Sequence, residues 1–214
     1  MRKTAQRADI RELILDGVDL LLARYGYRKM TMEDLAQTVG IGKGTIYLHF
    51  SGKEDVTLCH IDRIVTEVVQ RLQEIARTPG SGQTKIKEML LIRVLHRFDR
   101  VLSYSQSLNE LLSSLRQQLL SRRQAHFQRE TEVFSRVLKE GKRMGELEFS
   151  RPAEEVAQTL IACTNAFLPY SLSARELGRR EEIKDHVSRL ADLLLTGLSP
   201  RTKKKTIHKK GAPV

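Results

Sequence analysis

The chain has 214 residues, 40% hydrophobic and 29% charged, with two cysteines and a formal net charge of +11. This composition excludes wholesale disorder, a membrane-spanning apolar run and a disulfide framework, and it leaves room for one large domain or two small ones. The charge is uneven: residues 1–55 carry nine basic and eight acidic side chains, residues 56–200 carry 22 and 18, and residues 201–214 carry six and none.

A basic excess favours a polyanion partner, although net charge alone serves solubility equally well. The opening MRKTAQRADIRELILDG lacks an uninterrupted apolar stretch and a small-residue cleavage site. It therefore does not read as a secretory signal, and Cys59 and Cys163 are expected as reduced thiols in a cytoplasmic protein.

In residues 1–55, Ile10, Ile14, Val18, Leu21 and Leu22 recur at helical spacing. Gly26 between Tyr25 and Tyr27 suits the left-handed position that closes a helix. Gly17 inside that helix costs about 1 kcal/mol relative to alanine, which points to a neighbouring helix packed closely against it. Thr31 reads as the N-cap of a short helix, with Glu33 and Asp34 at its positive end. Met32, Leu35, Ala36 and Val39 share one face. Gly40 ends the helix and permits a positive φ. Ile41 turns inward, and a second short helix from about Lys43 buries Ile46 and Phe50.

This is the pattern of a helix-turn-helix over residues 31–50. Ala36 is small where the second helix must cross, and Val39, Ile41 and Ile46 lock the pair. With Ile46 and Phe50 inward, Lys43, Gly44, Thr45, Leu48 and His49 project elsewhere and Tyr47 lies at the boundary. A short helix so held fits the DNA major groove, N-terminal residues nearest the bases. Lys43 supplies charge for a phosphate or guanine, Gly44 a close backbone approach, and Thr45 a hydrogen bond to base or phosphate. Tyr47 and His49 suit phosphate oxygens, and Leu48 a thymine methyl. Thr31 and Lys53, each at the front of a helix, complete the DNA-facing candidates.

Beyond residue 50 the pattern is long helices. Ser51 and Glu54 read as a capping box for a helix running to Arg77, roughly 37 Å long. Thr78-Pro-Gly-Ser-Gly82 breaks it. Further helices are expected at about 84–104, 115–143, 152–172 and 180–198, with Pro152 in a first turn. No period-two strand pattern survives, so the fold class is all-α. The tail from residue 200 is basic, without periodicity, and expected to be disordered.

Within the 84–104 helix, Arg97 and Tyr104 fall on the apolar stripe of Ile86, Leu90, Val94 and Val101. They read either as polar anchors for a small effector in an apolar cavity, or as an arginine at the core edge paired with a nearby acid. Asn109, His126, Thr164, Asn165 and Tyr170 are weaker effector candidates. Two further stripes, Val156-Leu160-Cys163-Thr164-Phe167 and Ile183-Val187-Leu190-Leu194, are either internal core or a subunit interface.

Other chemistry fails on spacing. A phosphate loop over 37–44 needs glycine first and Ser/Thr last, where the chain has Gln37 and Gly44. No two histidines stand at i, i+4 and no Cys-x-x-Cys occurs, so no metal site is expected. Cys59 and His60 diverge by about 100° on a helix and read as a buried thiol beside a surface histidine. Cys163 reads as core. The acid pairs Glu154-Glu155 and Glu181-Glu182 read as solvated helix faces. No catalytic constellation or cofactor motif is found, so an enzyme is not expected.

Residues 10–55 resemble the DNA-binding domain of tetracycline-repressor-type (TetR family) transcription regulators. The resemblance is carried by Ile14-Leu15, Tyr25-Gly26-Tyr27, Thr31-Met32, Leu35-Ala36, Gly40-Ile41, Lys43-Gly44-Thr45-Ile46-Tyr47, His49-Phe50 and Lys53-Glu54. It implies a three-helix DNA-binding domain over 1–55 and a larger helical effector-binding and dimerisation domain over 56–199. It further implies that the last two long helices pair between subunits, giving a homodimer that binds a palindromic operator, more as repressor than activator, under a small-molecule effector. Three residues depart from the family pattern: Gly42 in place of a serine-type cap, Leu48 in place of a polar or aromatic residue, and Gly17 in place of alanine. The alternative reading is a constitutive, low-specificity DNA-binding protein that uses the basic tail.

Overall fold

The computed structural model describes residues 2–171 and 178–200, with side chains described from Asp9 onward except that of Tyr170. The expected disordered tail over 201–214 lies outside the described residues. Within them, every regular element is helical: α1 (Arg2–Lys29), α2 (Met32–Val39), α3 (Lys43–Tyr47), α4 (Lys53–Arg77), α5 (Gly82–Leu102), α6 (Leu108–Ser114), α7 (Arg116–Arg143), α8 (Ala153–Thr164) and α9 (Arg180–Leu198).

The three N-terminal helices form by the local chemistry the sequence predicts. Ile14, Val18, Leu21 and Leu22 line the buried face of α1, which packs on α2, α4 and α6. Regular dihedrals break at Gly26 (φ 73°), and the final turn restarts with Met30 N–H donating to the Gly26 carbonyl. Thr31 caps α2 reciprocally with Asp34: the Thr31 hydroxyl accepts from the Asp34 N–H, and the Thr31 N–H donates to the Asp34 carboxylate. At the other end Gly40 (φ 69°) is left-handed, and the Gly40 and Ile41 amides both reach the Ala36 carbonyl. Gly17 is required by contact. A Cβ there would lie 2.4 Å from Val39 Cγ1 and 2.9 Å from Leu35 Cδ1.

Several boundaries differ from expectation. Ser51 does not cap α4 with Glu54. The helix begins after Gly52, and the Ser51 N–H and hydroxyl both donate to Asp55, one residue beyond the capping-box position. The helix α6 was not foreseen, because 105–114 is rich in serine and too short to display a period. The expected 152–172 helix stops at Thr164 and continues as two 3₁₀ turns, Asn165–Phe167 and Pro169–Ser171.

α5 is the axial helix, in contact with α4, α7, α8 and α9. One buried cluster joins Ile14, Leu35, Ile46 and Phe50 to Val94, Phe98, Val101, Leu108 and Leu115, so the N-terminal helices share a core with α5 and α6. A second joins the far halves of α4 and α5 to α7, α8 and α9. The two stripes in doubt are largely internal: Leu160, Thr164, Ile183 and Val187 are buried within the chain. Leu190 and Leu194 are half-buried, and Leu193 stands 72% exposed.

Candidate nucleic-acid interface and internal cavity

The α2–turn–α3 unit presents a compact outward surface. Ile46 and Phe50 are buried, whereas Tyr47 and Leu48 are 49% and 76% exposed. A large apolar side chain held that far into solvent has no packing role in the monomer. Lys43 is exposed at the start of α3, with Nζ 3.2 Å from Glu33 on α2. Thr45 and His49 are half-buried, the His49 carbonyl accepting from Arg11. Gly42 caps α3 without a side-chain hydrogen bond, as its departure from the family pattern implies. A Cβ on Gly44 would meet open space, so packing does not demand glycine there. Thr31 is exposed, but its hydroxyl is engaged with Asp34. Lys53 is placed differently from expectation. Its ammonium donates to the Arg28 carbonyl at 2.9 Å and lies over the Tyr27 ring, and burial lowers its pKa. It braces the end of α1, with only part of its charge open to a phosphate.

A cavity of about 260 Å³ lies between α4, α5, α6 and α7. Its walls are mostly aliphatic, and Arg97, Tyr104 and His126 are among the residues that line it. Arg97 faces the cavity and is paired with Glu130. Asn109 is exposed and not part of the lining. Asn165 and Thr164 lie behind the wall, each accepting a hydrogen bond from Arg93. The side chain of Tyr170 lies outside the described residues. Among the described residues no group of three metal-ligating side chains converges, and no helix is long and apolar enough to cross a membrane.

Residues 14–58 match the family of bacterial regulatory proteins, tetR family. Over 174 residues, 78% of this chain and 83% of its relative, the sequence is 26% identical to the HTH-type transcriptional repressor BepR of Brucella suis. Over 81 residues it is 38% identical to the HTH-type transcriptional regulator EthR of Mycobacterium tuberculosis, a match covering 37% of this chain and only 38% of EthR. The whole fold superimposes on a transcriptional regulator from Cytophaga hutchinsonii with a TM-score of 0.72 at 22% identity, covering 88% of this chain and 98% of that one. Over residues 14–58 the chain is similar to TetR-family regulators, and the fold as a whole is theirs. Both curated relatives carry the names of regulators, not of enzymes.

Two charged groups that the sequence did not reveal set the electrostatics of this fold. Behind the cavity, Arg93 donates from Nε to Glu130 (2.5 Å), from Nη1 to Thr164 (2.8 Å) and from Nη2 to Asn165 (2.7 Å), while Arg97 donates to the same Glu130 and to the Arg93 carbonyl. Burial pushes the Glu130 carboxyl up, but the adjacent Arg97 and Arg93 guanidiniums outweigh it and hold its pKa below the ordinary value. Where α1 meets α4 and α5, His60 is fully buried with Nε2 3.6 Å from Asp19 Oδ1, and neither atom has a hydrogen-bond partner. Burial, with Arg63 and Arg100 nearby, holds His60 neutral with its pKa down at about 3. The expectation for this pair was inverted: His60 is the buried member and Cys59 is half-exposed. Cys163 is likewise half-buried, not core. Arg93 and Arg97 at i, i+4 within an apolar stripe were the available signal. The identity of their acid, 33 to 37 residues away, was not.

Proposed function

We propose that this protein is a homodimeric, sequence-specific DNA-binding transcription regulator, acting as a repressor in the cytoplasm and released or retained by a small effector in the α4–α7 cavity. The observation that carries the reading is the α2–turn–α3 unit. It holds an exposed Leu48 and Tyr47 on a fixed short helix beside a surface lysine. Lys43, Gly44, Thr45, Tyr47, Leu48 and His49 form the groove-facing set, with Thr31 and Lys53 at its margin. A single unit of this size has little contact area, and two-fold pairing doubles it and matches a palindromic operator. The outward edge of α9, with Leu193 exposed and Leu190 and Leu194 half-covered, supports pairing through α8 and α9.

The cavity wall supplies a route from effector to DNA. Leu108, Leu111 and Leu112 of α6 face the cavity, while Glu110 of the same helix accepts from the Arg28 N–H just after the α1 break. At that break Gly26 approaches Ser107 so closely that a Cβ would lie 2.9 Å from it. A ligand that displaces α6 therefore shifts the end of α1 that supports α2 and α3. α4 runs from Lys53 beside the DNA-facing unit to the cavity and provides a second route. Such coupling requires that ligand bind the two states with different affinity. Proteins of the same fold have been solved with choline, in a regulator from Saccharomonospora viridis, and with triclosan, in SmeT.

Titration of the purified protein against DNA from upstream of its own gene, beside a scrambled duplex at about 150 mM salt, tests the reading. Preference for the native duplex, saturating at one or two dimers, supports it. The six basic residues of 201–214 favour one competing account, a low-specificity binder. Deleting them should weaken binding to all sequences alike and flatten the salt slope if the protein is a specific regulator. If the tail is the binding element, the deletion abolishes binding.

A further inference from the structure

We infer that the cavity is built for an amphipathic monoanion, a carboxylate on an apolar chain; the inference rests on the reading of this cavity as the effector site. Three arginines line it, Arg97, Arg116 and Arg123, with His126 beside them, and no Asp or Glu lines it among the described residues. The nearby acids are already committed. Glu130 takes Arg93 and Arg97, and Asp62 takes Arg122 and His126. The buried group behind the wall thus sets one carboxylate against two guanidiniums among the described residues. Arg116, exposed where it lines the cavity, is open to an anion.

The placement is as informative as the sign. Arg116, Leu119, Leu120, Arg123 and Phe127 occupy one face of α7, with the backbone positions of Arg116 and Arg123 two turns, or roughly 10 Å, apart along the axis. Between them lie the two leucines, and across from them Val101, Leu108 and Leu111. A cationic ligand would meet only like charge. A neutral apolar ligand would strip water from guanidiniums without replacing it. A carboxylate offers planar, two-point acceptance to an arginine while its chain fills the aliphatic wall. At about 30 Å³ for each water-sized unit, the 260 Å³ cavity holds roughly nine such units, the scale of a medium-length acyl chain.

The test is calorimetric titration of the full-length protein with decanoate, decanol and decyltrimethylammonium, each below its micellar concentration, followed by operator release with the same three. Decanoate should bind at least tenfold more tightly than decanol and the cation should not bind. Arg116→Gln and Arg123→Gln should each weaken decanoate about tenfold and leave decanol unchanged, and Arg116→Lys should recover part of the loss. Unchanged decanol affinity shows that the variants still fold. Equal affinity for all three probes, preference for the cation, or binding of none overturns the inference. Decanoate selectivity without any change in DNA affinity upholds the ligand class and overturns the effector reading instead.

Discussion

Replacing Gly17 by alanine places a methyl group where α1 and α2 already touch. In the interior of an exposed helix the change would stabilise by about 1 kcal/mol. Here the new Cβ would lie 2.4 Å from Val39 Cγ1 and 2.9 Å from Leu35 Cδ1, against an optimum near 3.5–4.0 Å. Leu35 is fully buried and Val39 is β-branched with a stiff χ1, so neither yields cheaply. Overpacking of this kind costs about 1–3 kcal/mol, which offsets the propensity gain and leaves a net loss of up to about 2 kcal/mol. That corresponds to a drop in Tm of up to about 8 °C for a chain of this size. Urea and thermal unfolding of Gly17→Ala, Val39→Ala and the double variant measure the effect. In the Val39→Ala background the main clash is gone, and Gly17→Ala should be neutral or stabilising by up to about 1 kcal/mol. If Gly17→Ala is equally favourable in both backgrounds, the close-packing argument fails.

Glu130→Gln should cost about 3–5 kcal/mol in urea unfolding, because it leaves two guanidiniums without their buried acid; a loss below about 1 kcal/mol would contradict that role. His60 titrates near 6.5 in the unfolded chain and near 3 in the folded one, so between those values the unfolded chain binds the extra proton and stability falls as pH falls. From pH 7 to pH 5 this group alone should remove about 2 kcal/mol, and His60→Leu should flatten the stability profile by that amount; an unchanged slope would refute the assignment. Leu48→Ala, at an exposed site, should change stability by no more than about 0.5 kcal/mol while relaxing the preference at one base pair of each half-site. Lys43→Ala and Tyr47→Ala should instead lower affinity for all sequences alike, and unchanged operator affinity in both would displace the proposed docking surface.

What could be read from the sequence follows the range of the interactions involved. The helix-turn-helix is specified by contacts within twenty residues: the Thr31 cap, the left-handed Gly40, and the inward Leu35, Ile41 and Ile46. The tightness at Gly17 was legible as an unfavourable residue kept in a helix. The cap of α4 was misplaced by one residue because Ser51 can satisfy Asp55 as easily as Glu54 would satisfy it. Arg97 and Tyr104 were located by helical period, but period cannot say which face of α5 meets a cavity and which a carboxylate. Glu130 and His60 were missed for the same reason. Each lies on a helix rich in charged residues, and only the packing of α1, α4, α5 and α7 draws those two inside.

Selection of bound duplexes from a random DNA pool, at about 150 mM salt with the full-length protein, tests the central claim most directly. The account predicts enrichment of a two-fold symmetric sequence with half-site centres one helical turn or a multiple apart, about 34–36 Å for one turn. A pool that remains random, with weak binding that vanishes as salt rises, would contradict it.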